Sequence, residues 1–302
     1  MDRYNQQFAK KDAKQVYRFD STIISLSAKL FAAGMNYSGI KGNPKNKLHL
    51  KVSIGQRGEI PSSVKFYTDQ AAASEDVALK RAIRESTIES GDCVVFDRGL
   101  TSGKTFVEFC EGNITFITRV DPKRKITILK TMEKAEDEKM ARKSETLTIL
   151  SDQEVQLWDS HNKKIFNTRF RLIRARSLKT NEDLCFLTND FTTDAIDITE
   201  LYARRWDIEV FFRFIKQELN FKHFLSRSLN GLKNYLYMVL IFSILLLIYK
   251  TSNNRPGYKI VKMYFVGELE NEVIAEIVKY CGGDPQKFRD TYCPETNEVS
   301  YV

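Results

Sequence analysis

Four consecutive apolar residues, Cys93-Val94-Val95-Phe96, followed at once by Asp97, limit what this chain can fold into more than any other stretch. A run without alternation offers no polar face to water, so as a strand it must be covered on both sides. Its flanks can supply the covers. Val77, Leu79, Ala82, Ile83 and Ile88 recur at helical spacing behind Ser74, which reads as the cap, and Gly91-Asp92 ends that helix. Ser102 to Gly112 reads as a second helix, followed by a strand over Ile114–Val120. Three strand candidates come earlier, Val16–Leu26, Leu48–Ile54 and Ser63–Thr68, parted by turns at Gly42-Asn43-Pro44 and Gly55 to Pro61. The short second turn predicts an antiparallel meander. The order is three strands, helix, strand, helix, strand, an α/β arrangement.

Further along, Ile198 to Lys216 (ITELYARRWDIEVFFRFIK) has the period of an amphipathic helix beginning near Thr199. At about 100° per residue, Arg205, Glu209, Arg213 and Lys216 fall within roughly 60° of Tyr202 on one face. Leu201, Ile208, Phe211, Phe212, Phe214, Ile215 and Leu219 take the rest of the circumference and can pack on a core. One carboxylate thus shares a stripe with a phenol and three cations. A solvated helix face with Glu209 paired to its neighbours is the plain alternative.

Some 77 residues separate Val120 from Ile198. Asp121 to Glu145 is a run of mixed charge read as a solvated connection. Strand candidates follow at Thr146–Leu150, Val155–Trp158, Arg169–Ala175 and Leu184–Thr188, so the segment is mostly β. Within it Arg169, Arg171, Arg174 and Arg176 could track a DNA backbone or form a solvated strand edge.

The formal charge of +8 favours a polyanionic partner, nucleic acid first. Five scattered cysteines without a Cys-x2-Cys pair argue for a reducing compartment and against a disulfide framework or structural zinc. His49, His161 and His223 have no metal-binding spacing. The polar start carries no apolar leader. Tyr235 to Tyr249 is nearly all apolar, but its fifteen residues reach about 22 Å as a helix, short of the ~30 Å hydrocarbon layer. A buried helix is expected there, with a break at Asn253 to Gly257 and a further helix over Asn271–Cys281.

The spacing Tyr202-x2-Arg205-x3-Glu209-x6-Lys216 resembles the signature of the insertion-sequence-four family of bacterial DDE transposases. Phe19-Asp20-Ser21-Thr22, Val95-Phe96-Asp97-Arg98-Gly99, Lys47-Leu48-His49 and Gly58-Glu59-Ile60-Pro61 resemble its other conserved settings, so the likeness runs from Tyr17 to Phe224. The resemblance implies a ribonuclease H-like mixed sheet with flanking helices, in which the first and fourth strands adjoin and bring Asp20 to Asp97. It implies a mostly β insertion before the last catalytic helix. The segments are then a polar lead (1–15), the first part of the core (16–120), the insertion (121–197), the second part of the core (198–250) and a helical or polar end (251–302). The catalytic, metal-holding residues are Asp20, Asp97 and Glu209. Tyr202, Arg205 and Lys216, with Trp206 and Arg213 beside them, are the DNA-binding set. Trp158 and Trp206 are candidates to stack on a flipped base, or core residues.

Phosphodiester chemistry independently suits three carboxylates. Two Mg2+ ions, or Mn2+ in their place, take hard oxygen ligands, lower the pKa of a water or 3′-hydroxyl and stabilise the leaving oxygen. Arg can fork onto phosphates while Lys acts as a point charge. The expectation is a transposase that cuts at transposon ends and joins 3′-hydroxyls to target DNA, cut and paste, as a homodimer on double-stranded DNA, cytoplasmic and nucleoid-associated, with no membrane partner. Only nineteen residues precede Asp20, where family members carry a helical DNA-binding domain, so reduced end specificity is expected. The alternatives are an inactive DNA-binding remnant, a ribonuclease H-like nuclease without transposition, or a membrane-associated protein built on Tyr235–Tyr249.

Overall fold

The computed structural model describes residues 15–26, 34–36, 48–89, 91–132, 146–159, 161–220, 226, 228–255 and 257–292. The first fourteen residues of the polar lead, most of the first loop, Phe221, His223, Phe224 and the last ten residues lie outside these. In chain order the elements are β1 (Val16–Ser25), β2 (Met35–Asn36), β3 (Leu48–Arg57), β4 (Ile60–Tyr67), α1 (Glu75–Arg84), β5 (Cys93–Phe96), α2 (Gly103–Glu111), β6 (Thr115–Val120) and β7 (Ile126–Thr131). Then come β8 (Leu147–Asp159), β9 (Lys164–Ser177), β10 (Asp183–Thr188), α3 (Ala195–Ala203), α4 (Trp206–Glu218), α5 (Leu229–Ser252), α6 (Tyr258–Tyr280) and α7 (Pro285–Tyr292).

The strands form one mixed sheet ordered β2-β3-β1-β5-β6-β10-β9-β8-β7, with β4 also pairing β3. Its first half, β4-β3-β1-β5-β6, has the expected ribonuclease H-like order, antiparallel on the β3 side of β1 and parallel through β5 and β6. β5 is buried at every residue, as an apolar run covered on both faces requires.

Alternation along β1 and β5 assigns each face its cover. Tyr17, Phe19, Val94 and Phe96 enter one core with Leu79 and Ile83 of α1 and Phe106 and Phe109 of α2. Phe96, Phe106, Phe109 and Phe116 pack ring against ring there, the Phe106 and Phe116 centroids 5.2 Å apart. Cys93, Val95 and Ile117 point the other way, into a core with Ile198, against which Leu201 and Tyr202 of α3 pack.

The β-rich segment does not form a separate layer. β10 pairs antiparallel with β6, so the core sheet runs on through β9, β8 and β7. Two expectations change here. Ile126–Thr131, assigned to a solvated connection, is a strand, mostly exposed and, among the described residues, paired only with β8; residues 133–145 of that connection lie outside the described residues. Thr146–Leu150 and Val155–Trp158 belong to one long strand, whose register shifts at Ile149/Ser151 and Gln156/Trp158 break the alternation that would have joined them.

The chain divides into two compact units at Tyr237/Met238, inside α5. α5 has 24 residues, about 36 Å at ~1.5 Å per residue, so the shortness argued for Tyr235–Tyr249 does not hold. By length and composition alone α5 could cross a bilayer, though 39% of its most apolar window is buried. In the second unit α6 begins at Tyr258, directly after Gly257 at φ 74°, well ahead of the expected Asn271. The Tyr249 hydroxyl donates to Glu268, and Arg255 lies over the Tyr264 ring.

Candidate active site

The parallel register of β1 and β5 sets Phe19 opposite Phe96. The next residue on each chain is an aspartate, Asp20 within β1 and Asp97 just past the end of β5. Adjacent strands lie about 4.8 Å apart, so the two carboxylates are neighbours. Burial is the main cause that pushes the Asp20 carboxyl up to about 7, and the charge of Asp97 adds to it, against a hydrogen bond from Ser21 N to Oδ1 at 2.8 Å and the nearby Arg205.

Local turns hold Asp97. Gly99 N donates to Asp97 Oδ1 at 2.9 Å, and Thr118 Oγ1 donates to the Asp97 carbonyl. A Cβ on Gly99 would stand 2.9 Å from Asp97 Oδ1, so only glycine leaves that carboxylate its place. The following loop is anchored by Asp76, which accepts from Thr101 N, Ser102 N and Thr101 Oγ1. Ser102, read as the first residue of the second helix, instead caps α2, accepting from Thr105 N. Ser74 precedes α1 without a side-chain bond to it.

The segment Ile198 to Lys216 is two helices rather than one. Asp194 starts α3, accepting from Ile196 N, while Thr199 is buried inside the helix and its hydroxyl donates to the Ile196 carbonyl. At Arg204-Arg205 the bonding tightens. Arg205 N, Asp207 N and Ile208 N each reach back three residues instead of four. Beyond this break α4 packs against β1, tied also by Arg18 Nη2 to Asp207 Oδ2 at 3.3 Å.

Several of the expected residues lie near one another. Arg205 Nη1 meets Glu209 Oε1 at 2.7 Å, and its guanidinium lies 5.7 Å from the centre of the Tyr202 ring. Burial raises the Tyr202 hydroxyl above its ordinary pKa, opposed by the charges of Arg205 and Arg119 and a hydrogen bond from Arg205. The Tyr202 ring is packed edge-on against Phe186 at 5.3 Å. Glu209, Phe212, Arg213, Lys216 and Gln217 of α4 face Asp20, Ser21 and Thr22 across a concavity of about 420 Å³. Lys216 lies over the Phe212 ring, 5.2 Å from its centre. Trp206 is half exposed on the first turn of α4.

A second cleft of about 790 Å³ opens beside Asp97, lined by Arg98, Arg119, Lys123 and Arg124 among others. A third joins Lys104, Arg124 and Lys125 to Trp158 and Phe166, with Lys125 Nζ 3.7 Å above the Trp158 ring. One face of Trp158 is therefore covered by the chain's own cation. The arginine stretch of β9 is largely committed within the fold. Arg171 is buried against Asp152 at 2.6 Å, Arg169 pairs with Glu154, and Arg176 pairs with Asp183. β9 is also flanked by β8 and β10, so it is no edge.

The donor set suits a hard divalent cation. Asp20 and Asp97 offer adjacent carboxylates, and burial, with the charge of Asp97 added, raises the proton affinity of Asp20. Among the described residues no three His, Cys, Asp or Glu side chains converge closely enough to hold one ion together. Glu209, engaged by Arg205, completes no such group in this arrangement. Sequence reasoning passed over Asp76 and Arg119. Both are marked only by their place beside the Asp97 turn, which no local pattern reveals.

The profile of a family described as the Transposase DDE domain matches residues 12–245. A protein of Sinorhizobium fredii named as a transposase, y4zB, is 28% identical over 221 residues, covering 72% of this chain and 60% of its own. A protein of Geobacillus stearothermophilus named as the transposase of insertion sequence element IS5377 is 22% identical over 237 residues, covering 74% and 60%. The chain thus spans 60% of the length of both curated relatives. Among solved structures, a piggyBac transposase in a synaptic complex with hairpin DNA matches with a TM-score of 0.49 and 12% identity, over 95% of this chain and 59% of that one.

Proposed function

The chain belongs to the Transposase DDE domain family, whose profile matches residues 12–245, and from that premise we propose that it is the catalytic part of a DNA transposase of the insertion-sequence-four type. The observation that carries this reading is the β1/β5 register, which seats Asp20 beside Asp97 on the face served by α3 and α4, with Glu209 across the concavity from Asp20.

In this reading Asp20, Asp97 and Glu209 would hold divalent ions, Mg2+ first and Mn2+ as a substitute. Bound there, such ions supply the charge that activates an oxygen nucleophile and stabilises the leaving oxygen. The protein's own groups do the positioning. Arg205 pairs with Glu209 and lies against the Tyr202 ring, and its fork suits a phosphate oxygen. Arg213 and Lys216 extend the positive stripe along the same concavity, and Trp206 beside Arg205 offers an exposed aromatic surface. Arg119, Lys123 and Arg124 supply cations on the Asp97 side. A phosphodiester lying across the two aspartates has cationic groups on both sides of the scissile bond.

The reaction proposed is cleavage at transposon ends and transfer of the 3′-hydroxyl to target DNA, carried out by a homodimer on DNA in the cytoplasm, at the nucleoid. The test is cleavage and strand transfer on a labelled duplex bearing the ends of the chain's own element, with Mg2+ or Mn2+, comparing wild type with Glu209→Ala. Metal-dependent products lost in the variant are expected. A folded, DNA-binding wild type that makes no product, or a variant that cuts as well as wild type, would overturn the reading.

A further inference from the structure

Two basic clefts meet on the β6 side of Asp97. The nearer is lined by Arg98, Arg119, Lys123 and Arg124, the farther by Lys104, Arg124 and Lys125, and Thr101 and Arg124 belong to both. Among the described residues none of these cations makes an ion pair. Cations close by are matched: Lys80 and Arg84 share Glu108, Lys65 meets Glu85, and Arg171 meets Asp152. The acids that line the clefts beside Asp97 serve their own turns instead. Asp121 accepts from Lys123 N, and Asp159 accepts from His161 N and from the backbone and side-chain amides of Asn162. Like charges gathered without acids repel one another, and a polyanion relieves that repulsion.

Arg124 stands where the two clefts join. Its Nη1 donates to the Thr101 carbonyl at 2.8 Å, and its guanidinium lies 5.5 Å from the centre of the Phe106 ring. A Cβ on Gly103, the first residue of α2, would stand 3.1 Å from Arg124 Nη2. The guanidinium therefore rests on the first turn of α2, the end at which a helix dipole disfavours a cation. Burial lowers its pKa below the ordinary value, and Asp76, whose charge opposes that, is itself engaged by Thr101 and Ser102. Both the arginine and the helix end favour an anion in the same place. Lys104, on that first turn, and Lys125, next to Arg124 in the chain, widen the positive ground toward Trp158 of β8 and Phe166 of β9.

We propose that the two clefts form one track for the sugar–phosphate backbone of the DNA flanking the scissile bond, with a phosphate seated at Arg124 between Lys104 and Lys125. This rests on the reading of the chain as a DNA-acting enzyme, and it involves no metal ion. It gives the β-rich segment a task, since β8 and β9 wall the far end of the track. Arg213 and Lys216 stand at the other concavity, on the β1 side of the acid pair. Contacts of this kind position a duplex without reading its bases.

The test is binding of the full chain to the labelled duplex bearing the element's ends, with chelator present, read by fluorescence anisotropy over a series of NaCl concentrations. The proteins are wild type, Lys104→Gln, Lys125→Gln, the double variant of these two, Lys125→Arg and Lys65→Gln. Lys65, paired with Glu85 and outside both clefts, controls for the loss of one positive charge. The slope of log K against log salt is expected to become shallower by about 0.9 in each cleft variant and by about 1.8 in the double variant. It should stay at the wild-type value in Lys125→Arg and Lys65→Gln. Hydroxyl-radical footprints of the double variant should lose protection over one stretch to one side of the cleavage point, with protection at that point retained. A wild-type slope in the double variant, or an equal change in Lys65→Gln, overturns the proposal and leaves the DNA reading standing. Lys125→Arg behaving as Lys125→Gln would show that packing on Trp158 acts rather than charge, and overturns it too. A wild type that does not bind the duplex overturns the DNA reading itself.

Discussion

Asp20→Asn should stabilise the metal-free protein, and by an amount that depends on pH. Burial and the neighbouring Asp97 raise the Asp20 carboxyl from its ordinary 3.8 to about 7. At about 1.36 kcal/mol per pH unit, that difference amounts to roughly 4 kcal/mol of penalty once both the folded and unfolded chains are ionised. Below pH 4 both states are protonated and nothing is lost. Between about 4 and 7 the folded state holds the proton more tightly than the unfolded one, so stability falls as pH rises. Above about 7 the penalty is complete. Asparagine carries no charge and can still accept from Ser21 N, so it avoids the penalty at every pH. Differential scanning calorimetry with chelator should therefore show Tm equal for the two proteins near pH 4 and higher for Asp20→Asn at pH 8, by on the order of 10 °C. Added Mn2+ should narrow the gap by raising wild type alone. A variant no more stable than wild type at pH 8, or a gap independent of pH, would refute the view of Asp20 as a buried charge awaiting a cation.

Two more perturbations probe the support of the site. Gly99→Ala puts a methyl against Asp97 Oδ1 and Glu75 Cγ; cleavage should drop on the order of 10²-fold with Tm within a few degrees of wild type, measured on the same labelled duplex. Asp152→Ala strands the buried Arg171, which also donates to the Asp190 and Thr193 carbonyls ahead of α3; urea unfolding should register a loss of about 3–5 kcal/mol, and a loss under 1 kcal/mol would show that the ion pair does not anchor that turn.

What could be read directly was whatever rests on long-lived patterns. The unbroken run Cys93 to Phe96 announced a strand covered on both faces, and the strand and helix order around it led to the β1/β5 neighbourhood of Asp20 and Asp97. The helix break was hidden. Ala203-Arg204-Arg205-Trp206 contains no glycine or proline, and Arg204 and Arg205 keep helical angles, φ/ψ −64/−10° and −55/−29°. Only the bonding shortens, which a fixed rotation per residue does not detect. β7 was missed because its side chains are mostly exposed and charged neighbours swamped the pattern Ile126-Thr127-Ile128. The arginines of β9 looked available because their partners, Asp152, Glu154 and Asp183, come from adjacent strands.

The break also explains how a long β-rich segment can lie between Asp97 and Glu209 without parting them. β10 runs antiparallel to β6, Thr188 opposite Ile117, so the chain leaves the sheet at the end away from Asp97. Asn189 fixes that exit, accepting from Phe116 N and donating to the Ile114 carbonyl. α3 must then carry the chain back across the face to the end of β5. Its nine residues rise about 13.5 Å at ~1.5 Å each, and the four of β5 span about 13 Å at ~3.3 Å each. The helix thus runs out where the strand does, and the tightened turn at Arg204-Arg205 falls beside the acid pair. A straight continuation would carry the rest of the segment past the strand ends; the turn lets α4 pack on β1 instead, with Glu209 facing Asp20. Extra strands beyond β6 lengthen the excursion but leave this return path unchanged, which is why the sheet can grow at that edge while the site stays where β1 and β5 meet.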